Sequence, residues 1–235
     1  MKVELISYTN GADRLAAICA GTCVSKEIPS DPSMKGLRSA VKSGHDSVIE
    51  HVSFTFAVSG ISRACSHQVV RHRLASYSQQ SQRYVDMSEA EFVIPDSLKD
   101  WSMKWYEPDD FEPDVRINAE GLLSQITEAY KDMVSKGVPE EDARYILPNA
   151  CTTNIIVTMN ARELLHFLEL RMCGRAQWEI RELACKMYDL ANRVAPEIMK
   201  YAGPSCHFTG KCKEQKWCGQ TPDEIRARIH TEIER

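Results

Sequence analysis

What this 235-residue chain lacks narrows its identity first. It has no apolar run approaching the roughly 20 residues that a bilayer-crossing helix needs, so no membrane span is expected. The opening stretch, Met1-Lys2-Val3-Glu4-Leu5-Ile6-Ser7-Tyr8, carries an acid among its apolar residues and no small-residue cleavage site. No signal peptide is therefore expected, and the expected location is the cytoplasm. Strong charge of either sign is missing: the formal net charge is -4, which argues against a dedicated polynucleotide binder. Internal repeats, low-complexity tracts and obvious linkers are absent. None of the nine cysteines is spaced as Cys-x₂-Cys, the usual pairing of a structural zinc site, so no metal is expected. An intracellular setting also disfavours disulfides.

What is present reads as an ordinary globular protein, with 43% apolar and 26% charged residues. The length suits one domain, or one domain of two lobes, over residues 1–235, with a Cys/Gly-rich tail at about 203–235. Cys19, Cys23, Cys65, Cys151, Cys173 and Cys185 are expected to be reduced thiols used as small core residues. Cys206, Cys212 and Cys218 fall in the tail beside His207.

The patterning predicts a strand over 2–8, helices over 11–24 and 32–44, and a half-buried strand at 53–58 broken by Gly60. A helix is expected from about Ser62 to Arg73, followed by a polar loop. The acidic, Pro-punctuated stretch from Pro95 to Pro113 reads as a surface excursion. Leu123, Ile126, Tyr130, Met133 and Val134 keep helical spacing up to Gly137. Pro139-Glu140-Glu141-Asp142 is a helix start, with acids placed to complement the helix dipole. Residues 154–158 are rich in strand formers. Asn160 with Glu163 forms a capping box for a helix to about Arg171, a longer helix follows through Val194, and Thr221-Pro222-Asp223-Glu224 opens a terminal one. Strands and helices do not alternate strictly, so the class is α+β.

The densest chemistry lies in Arg71-His72-Arg73-Leu74-Ala75-Ser76-Tyr77-Ser78-Gln79-Gln80-Ser81-Gln82-Arg83-Tyr84. Guanidinium forks match phosphate oxygens two at a time, and serine hydroxyls and loop amides supply further donors. Composition alone is equally consistent with a solvated basic face. The arrangement Arg71-His72-Arg73, seven residues, then Ser81 is more specific. It resembles the signature of the flavin-dependent thymidylate synthase family, and Arg83-Tyr84 continues the match. Gly44-His45-Asp46-Ser47-Val48-Ile49-Glu50-His51 with Phe54-Thr55-Phe56 is similar to a second family segment. Val138-Pro139 through Arg144 to Pro148, Asn160-Ala161-Arg162, Phe167 to Arg171, and Ala176 to Ile180 resemble others.

That resemblance implies a central, mostly antiparallel sheet flanked by helices, in a homotetramer whose FAD and dUMP sites lie at subunit interfaces. It implies that Arg71, His72, Arg73, Asn160, Arg162 and His166 touch FAD, with Ser47 doing so from a neighbouring chain and His45 lining the flavin pocket. Gln68, Arg71, Ser81, Gln82 and Arg83 would hold dUMP, with Arg144 reaching in from another subunit. Gln79 stands where some members carry a glutamate; its amide can bond dUMP or flavin. Arg171 would lie beside the uracil, bind it, and favour the ionised ring nitrogen. Taken singly, Asn160 reads as a helix cap, His166 as a structural histidine and Arg162 as a surface arginine; Arg162 and His166, four apart, share a helix face.

The implied reaction methylates dUMP to dTMP without a cysteine nucleophile. Methylenetetrahydrofolate would supply the carbon and leave as tetrahydrofolate, and NADPH would reduce the FAD that carries the hydride. Pro204-Ser205-Cys206-His207 resembles the Pro-Cys-His of cysteine-dependent thymidylate synthases only superficially, because a serine is inserted. Two rival readings fit less of the chain. A nucleic-acid module would need more stacking aromatics than Tyr77 and Tyr84. A generic flavin reductase leaves Arg83, Arg144 and Arg171 without a task.

Overall fold

A computed structural model describes residues 1–104 and 116–234. In chain order it runs β1 (Lys2–Tyr8), α1 (Ala12–Thr22), α2 (Met34–Lys42), β2 (Ser53–Ser62), α3 (Arg63–Val69), β3 (Ala75–Gln79), β4 (Ser102–Lys104), β5 (Arg116–Asn118), α4 (Ala119–Ser135) and α5 (Glu140–Ala143). Then follow β6 (Thr152–Asn160), α6 (Ala161–Arg171), α7 (Trp178–Val194), α8 (Pro196–Met199), α9 (Ser205–Thr209) and α10 (Pro222–Glu234). The architecture is α+β, with an antiparallel sheet of order β1-β2-β6-β3 flanked by helices. Among the described residues, no helix is long and apolar enough to cross a membrane.

The chain divides into two compact units. The first comprises Met1–Ser59, His67–Ser78 and Ile155–Arg235; the second comprises Gly60–Ser66 and Gln79–Asn154. In the first, α7 packs against α6, α8, α10 and β1. The spacing of Ile180, Leu183, Ala184, Met187 and Ala191 puts all five on one buried stripe. Alternate residues of β2 and β6, namely Phe54, Phe56, Val58, Val157 and Met159, join Leu164, Phe167 and Leu168 of α6 among the buried residues. Each such side chain contributes about 1.5–3 kcal/mol. The second unit is built on Met87, Tyr130, Ala143 and Cys151, with Met133, Val134, Ile146 and Leu147 packed around them. The Met87 amide donates to the Tyr130 hydroxyl at 3.3 Å.

The cap at Thr221 forms in full, whereas at Asn160 only the Asn160 half of the expected capping box forms. The Asn160 side-chain oxygen accepts the Glu163 amide at 2.9 Å, and Thr221 and Glu224 bond reciprocally at the start of α10. Four expectations need correcting. First, Gly60 does not end β2. Its φ of +70°, open to glycine, shifts the buried alternation from Phe54, Phe56 and Val58 to Ile61, and the strand continues to Ser62.

Second, α3 does not reach Arg73. It stops at Val69, and the chain turns through Arg71 N–H to Gln68 O and His72 N–H to Val69 O. The Tyr77 hydroxyl, eight residues on from Val69, donates to the carbonyls of both Val69 and His72, at 2.9 and 2.6 Å, and holds the chain in this turn. Third, the polar segment after Arg73 is not all loop, because residues 75–79 form the edge strand β3. Fourth, the thiols are not uniformly core: Cys65, Cys151 and Cys185 are buried, Cys19 and Cys173 are half-buried and Cys23 is exposed. The surface excursion holds a short turn at Asp96–Leu98 and β4; its residues 105–113 lie outside the described residues.

Candidate functional site

The first unit carries a cleft of about 990 Å³. Two distant stretches supply its chemistry: the turn Arg71–Leu74 and the outer face of α6. Because Leu164, Phe167 and Leu168 bury one side of α6, Arg162, His166 and Glu169 face outward, and Arg171 at the last turn joins them in the lining. In the turn, His72 is buried while Arg71 and Arg73 on either side are exposed; all three line the cleft. Lys42 and Lys213 add charge, with Asp46 and Glu169 opposing it, and Leu165, Leu170, Tyr201 and Phe208 add apolar and aromatic wall. Lys213 is held on Glu169 at 3.1 Å and Arg162 on Glu50 at 2.5 Å.

Within this lining His72, Glu163 and Arg171 form a chain of polar groups. Arg171 donates its Nε–H to His72 Nε2 at 3.0 Å, and His72 Nδ1 lies 3.2 Å from Glu163 Oε1. His72 and Glu163 are each 5% exposed. Burial, then the Arg171 charge, then His166 push the His72 imidazole down to about 4, so the ring is neutral at physiological pH. Burial raises the Glu163 carboxyl, and His166 partly offsets that. The Phe167 ring meets the imidazole edge-on at 4.9 Å, and the His166 ring lies 5.8 Å away.

The remaining first-unit candidates lie outside the cleft lining. His45 precedes and Ser47 sits within a single 3₁₀ turn at Asp46–Ile49, both exposed, and of that trio only Asp46 lines the cleft. Asn160 is occupied as a cap, and Gln68 is half-buried on α3.

The second unit gathers the other candidates. The Arg83 guanidinium grips the Glu141 carboxylate at 2.8 and 2.9 Å, and Arg144 Nε–H donates to the Glu141 carbonyl at 3.0 Å. Ser81 Oγ accepts the Arg83 amide at 3.2 Å, and Arg83 lies 5.4 Å from the Tyr84 ring centre. The Gln79 amide nitrogen donates to Ser66 and Thr153, and that of Gln82 points at the Cys151 sulfur at 3.6 Å. Arg83 and Arg144 thus meet on one residue, Glu141, at its carboxylate and its carbonyl respectively, while Gln79 and Gln82 are turned to neighbours of their own.

Sequence reasoning did not single out Glu50, Glu141 or Glu163, the carboxylates on which these cations rest. Glu141 was read only as part of a helix start and Glu50 only within a family segment, and the capping-box spacing of Glu163 pointed to a different partner. In the tail, burial and then the neighbouring Cys212, Cys173 and Cys218 raise the Cys206 thiol, so Cys173 belongs with the tail thiols rather than the core. Among the described residues, no three His, Cys, Asp or Glu side chains stand as a ready metal shell.

Comparison with known proteins adds an independent line. A family model described as "Thymidylate synthase complementing protein" matches residues 4–197. A Geobacter sulfurreducens protein named flavin-dependent thymidylate synthase is 45% identical over 237 aligned positions, covering 96% of this chain and 97% of its own. A Clostridium tetani protein of the same name is 42% identical, covering 95% of both chains. One from Pyrococcus furiosus is 48% identical over 184 positions, covering 73% of this chain and 69% of its own.

Proposed function

The chain belongs to the flavin-dependent thymidylate synthase family, and on that premise we propose that it methylates dUMP to dTMP. Methylenetetrahydrofolate is the carbon donor, NADPH the reductant and tetrahydrofolate the co-product. The observation that carries this reading is the convergence of Arg71, Arg73, Arg162, His166 and Arg171 on one cleft from stretches some ninety residues apart in sequence.

The cleft fits FAD. Its size falls at the upper end of ordinary ligand pockets, about 300–1,000 Å³, its arginines suit a pyrophosphate, and its apolar and aromatic wall suits a ring system. When bound and reduced, FAD supplies the hydride. The protein's own groups do the rest. Arg71, Arg73 and Arg162 hold the cofactor's negative charge, with Arg162 exchanging its exposed Glu50 partner for it. His166, His72, Asn160, Ser47 and His45 complete the cofactor surroundings. Arg171 binds the uracil and favours its ionised ring nitrogen, which drives electron density toward carbon 5.

The dUMP roles fall to Gln68, Arg71, Gln79, Ser81, Gln82, Arg83 and Arg144. Support comes from the exposed Glu141 carboxylate, which occupies the Arg83 fork as a phosphate would. The working form in this reading is a cytoplasmic homotetramer with sites completed between protomers, and it needs neither nucleic acid nor membrane. The test is spectroscopic and kinetic. The purified protein should show flavin absorption and oxidise NADPH faster when dUMP is added. A protein with no flavin, or with flavin and no response to dUMP, overturns the proposal.

A further inference from the structure

We propose that Glu163 is a positioning residue for this reaction: acting through the buried His72 ring, it fixes the orientation of the Arg171 guanidinium. The inference rests on the proposed function in one respect, the task given to Arg171. Its geometry stands separately.

Arginine is only a donor, so the 3.0 Å contact from Arg171 Nε–H requires a lone pair on His72 Nε2. A neutral imidazole carries one ring proton, which must then sit on Nδ1, facing Glu163 Oε1 at 3.2 Å. The carboxylate is thus the group that selects the tautomer, as an acceptor behind a ring nitrogen does at many histidine sites. Both partners are largely cut off from water, each being 5% exposed. Phe167 closes on the ring edge and restricts its rotation.

Removing the carboxylate leaves two outcomes for the ring. Either Nδ1–H stays buried without an acceptor, or the proton moves to Nε2, where it opposes the Arg171 Nε–H. The second breaks the hold on Arg171, and the first is costly enough to favour the second. The alternative assignment, that Glu163 only stabilises the start of α6, is weakened by the observed partners. The cap at Asn160 uses the Glu163 backbone amide, while the carboxylate points to His72.

The test uses holoenzyme labelled with ¹⁵N-histidine. In the wild type, the His72 nitrogens should report a protonated Nδ1 and a bare Nε2. Glu163→Ala should shift the ring toward the Nε2–H form and lower kcat for dTMP formation by roughly 10²-fold, the scale expected for displacing an orienting group. FAD content should stay close to wild type, and the KM for dUMP should rise by much less than kcat falls. Glu163→Gln, which keeps an acceptor oxygen, should recover much of both signals. An Nε2–H tautomer in the wild type overturns the inference without any variant, so a poorly folding Glu163→Ala does not shield it. An unchanged tautomer with unchanged kcat in Glu163→Ala overturns it equally. A wild type with no dUMP-dependent turnover sinks the function instead; the tautomer still decides the Glu163 assignment.

Discussion

Two arginine–acid assemblies stand in this molecule, and they are built differently. In the first unit, Arg171 rests on a neutral His72 that is itself held by Glu163, with the histidine and the acid both buried. In the second, Arg83 and Arg144 rest on Glu141, whose side chain and that of Arg83 are each about half exposed. An exposed pair of that kind contributes about 0–1 kcal/mol and yields readily to a better anion. A buried relay resists exchange, because breaking it strands a polar group away from water. Under the proposed roles the two builds suit two tasks: the first assembly would aim a charge, and the second would hold one until a phosphate arrives.

The contrast can be broken from its strong side. Arg171→Ala should leave FAD content unchanged and lower dTMP formation by at least about 10²-fold, because an electrostatic stabiliser is lost outright; single-turnover assays with bound flavin would measure it. Turnover near the wild-type level would mean that the aimed charge is not the activating one. Arg83→Ala should act on affinity. Losing a charge-assisted bond of about 1.5–3 kcal/mol raises the KM for dUMP roughly 10- to 100-fold with kcat little changed.

pH provides a third, milder probe. The folded His72 pKa of about 4 lies below its ordinary 6.5, so between those values the unfolded chain binds the proton and the folded chain does not. Its contribution to stability is therefore complete above pH 6.5 and declines as pH falls toward 4. Urea titrations at pH 7 and 5 should show a larger loss for the wild type than for His72→Asn. Equal losses would place the ring in water. The smallest effect belongs to Glu141→Gln, which should cost less than about 1 kcal/mol in stability and should leave dUMP affinity equal or slightly tighter.

Much of this layout could be read from residue order, for reasons of spacing. The α7 stripe, the strand alternation at Phe54–Val58 and the caps at Asn160 and Thr221 are local patterns that need no knowledge of tertiary partners. The misread boundaries were decided at a distance. Nothing near Val69 announces that Tyr77, eight residues on, will bond its carbonyl and hold the turn that follows α3. Gly60 carries a strand-breaking identity, and only its positive φ within a paired strand explains why β2 continues. Of the candidate cations of the cleft, Arg71 and Arg73 stand out as an arginine cluster, whereas Arg162, His166 and Arg171 are singled out only by the resemblance to the family. Their carboxylate partners were not readable, because Glu163 lies 91 residues from His72 and Glu50 lies 112 from Arg162.

The Tyr77 hydroxyl has a consequence for the range of conditions the cleft tolerates. One phenolic hydrogen is shared between two carbonyl oxygens, and together these contacts staple the turn that carries Arg71, His72 and Arg73. Burial, then the Glu163 charge, lift this phenol to about 12. The staple therefore keeps its hydrogen far into alkali, just as the imidazole beneath it stays uncharged well into acid. Between those two ionisations neither the Tyr77 phenol nor the His72 imidazole changes charge, so pH dependence of catalysis within that span is expected from the substrates or from other side chains.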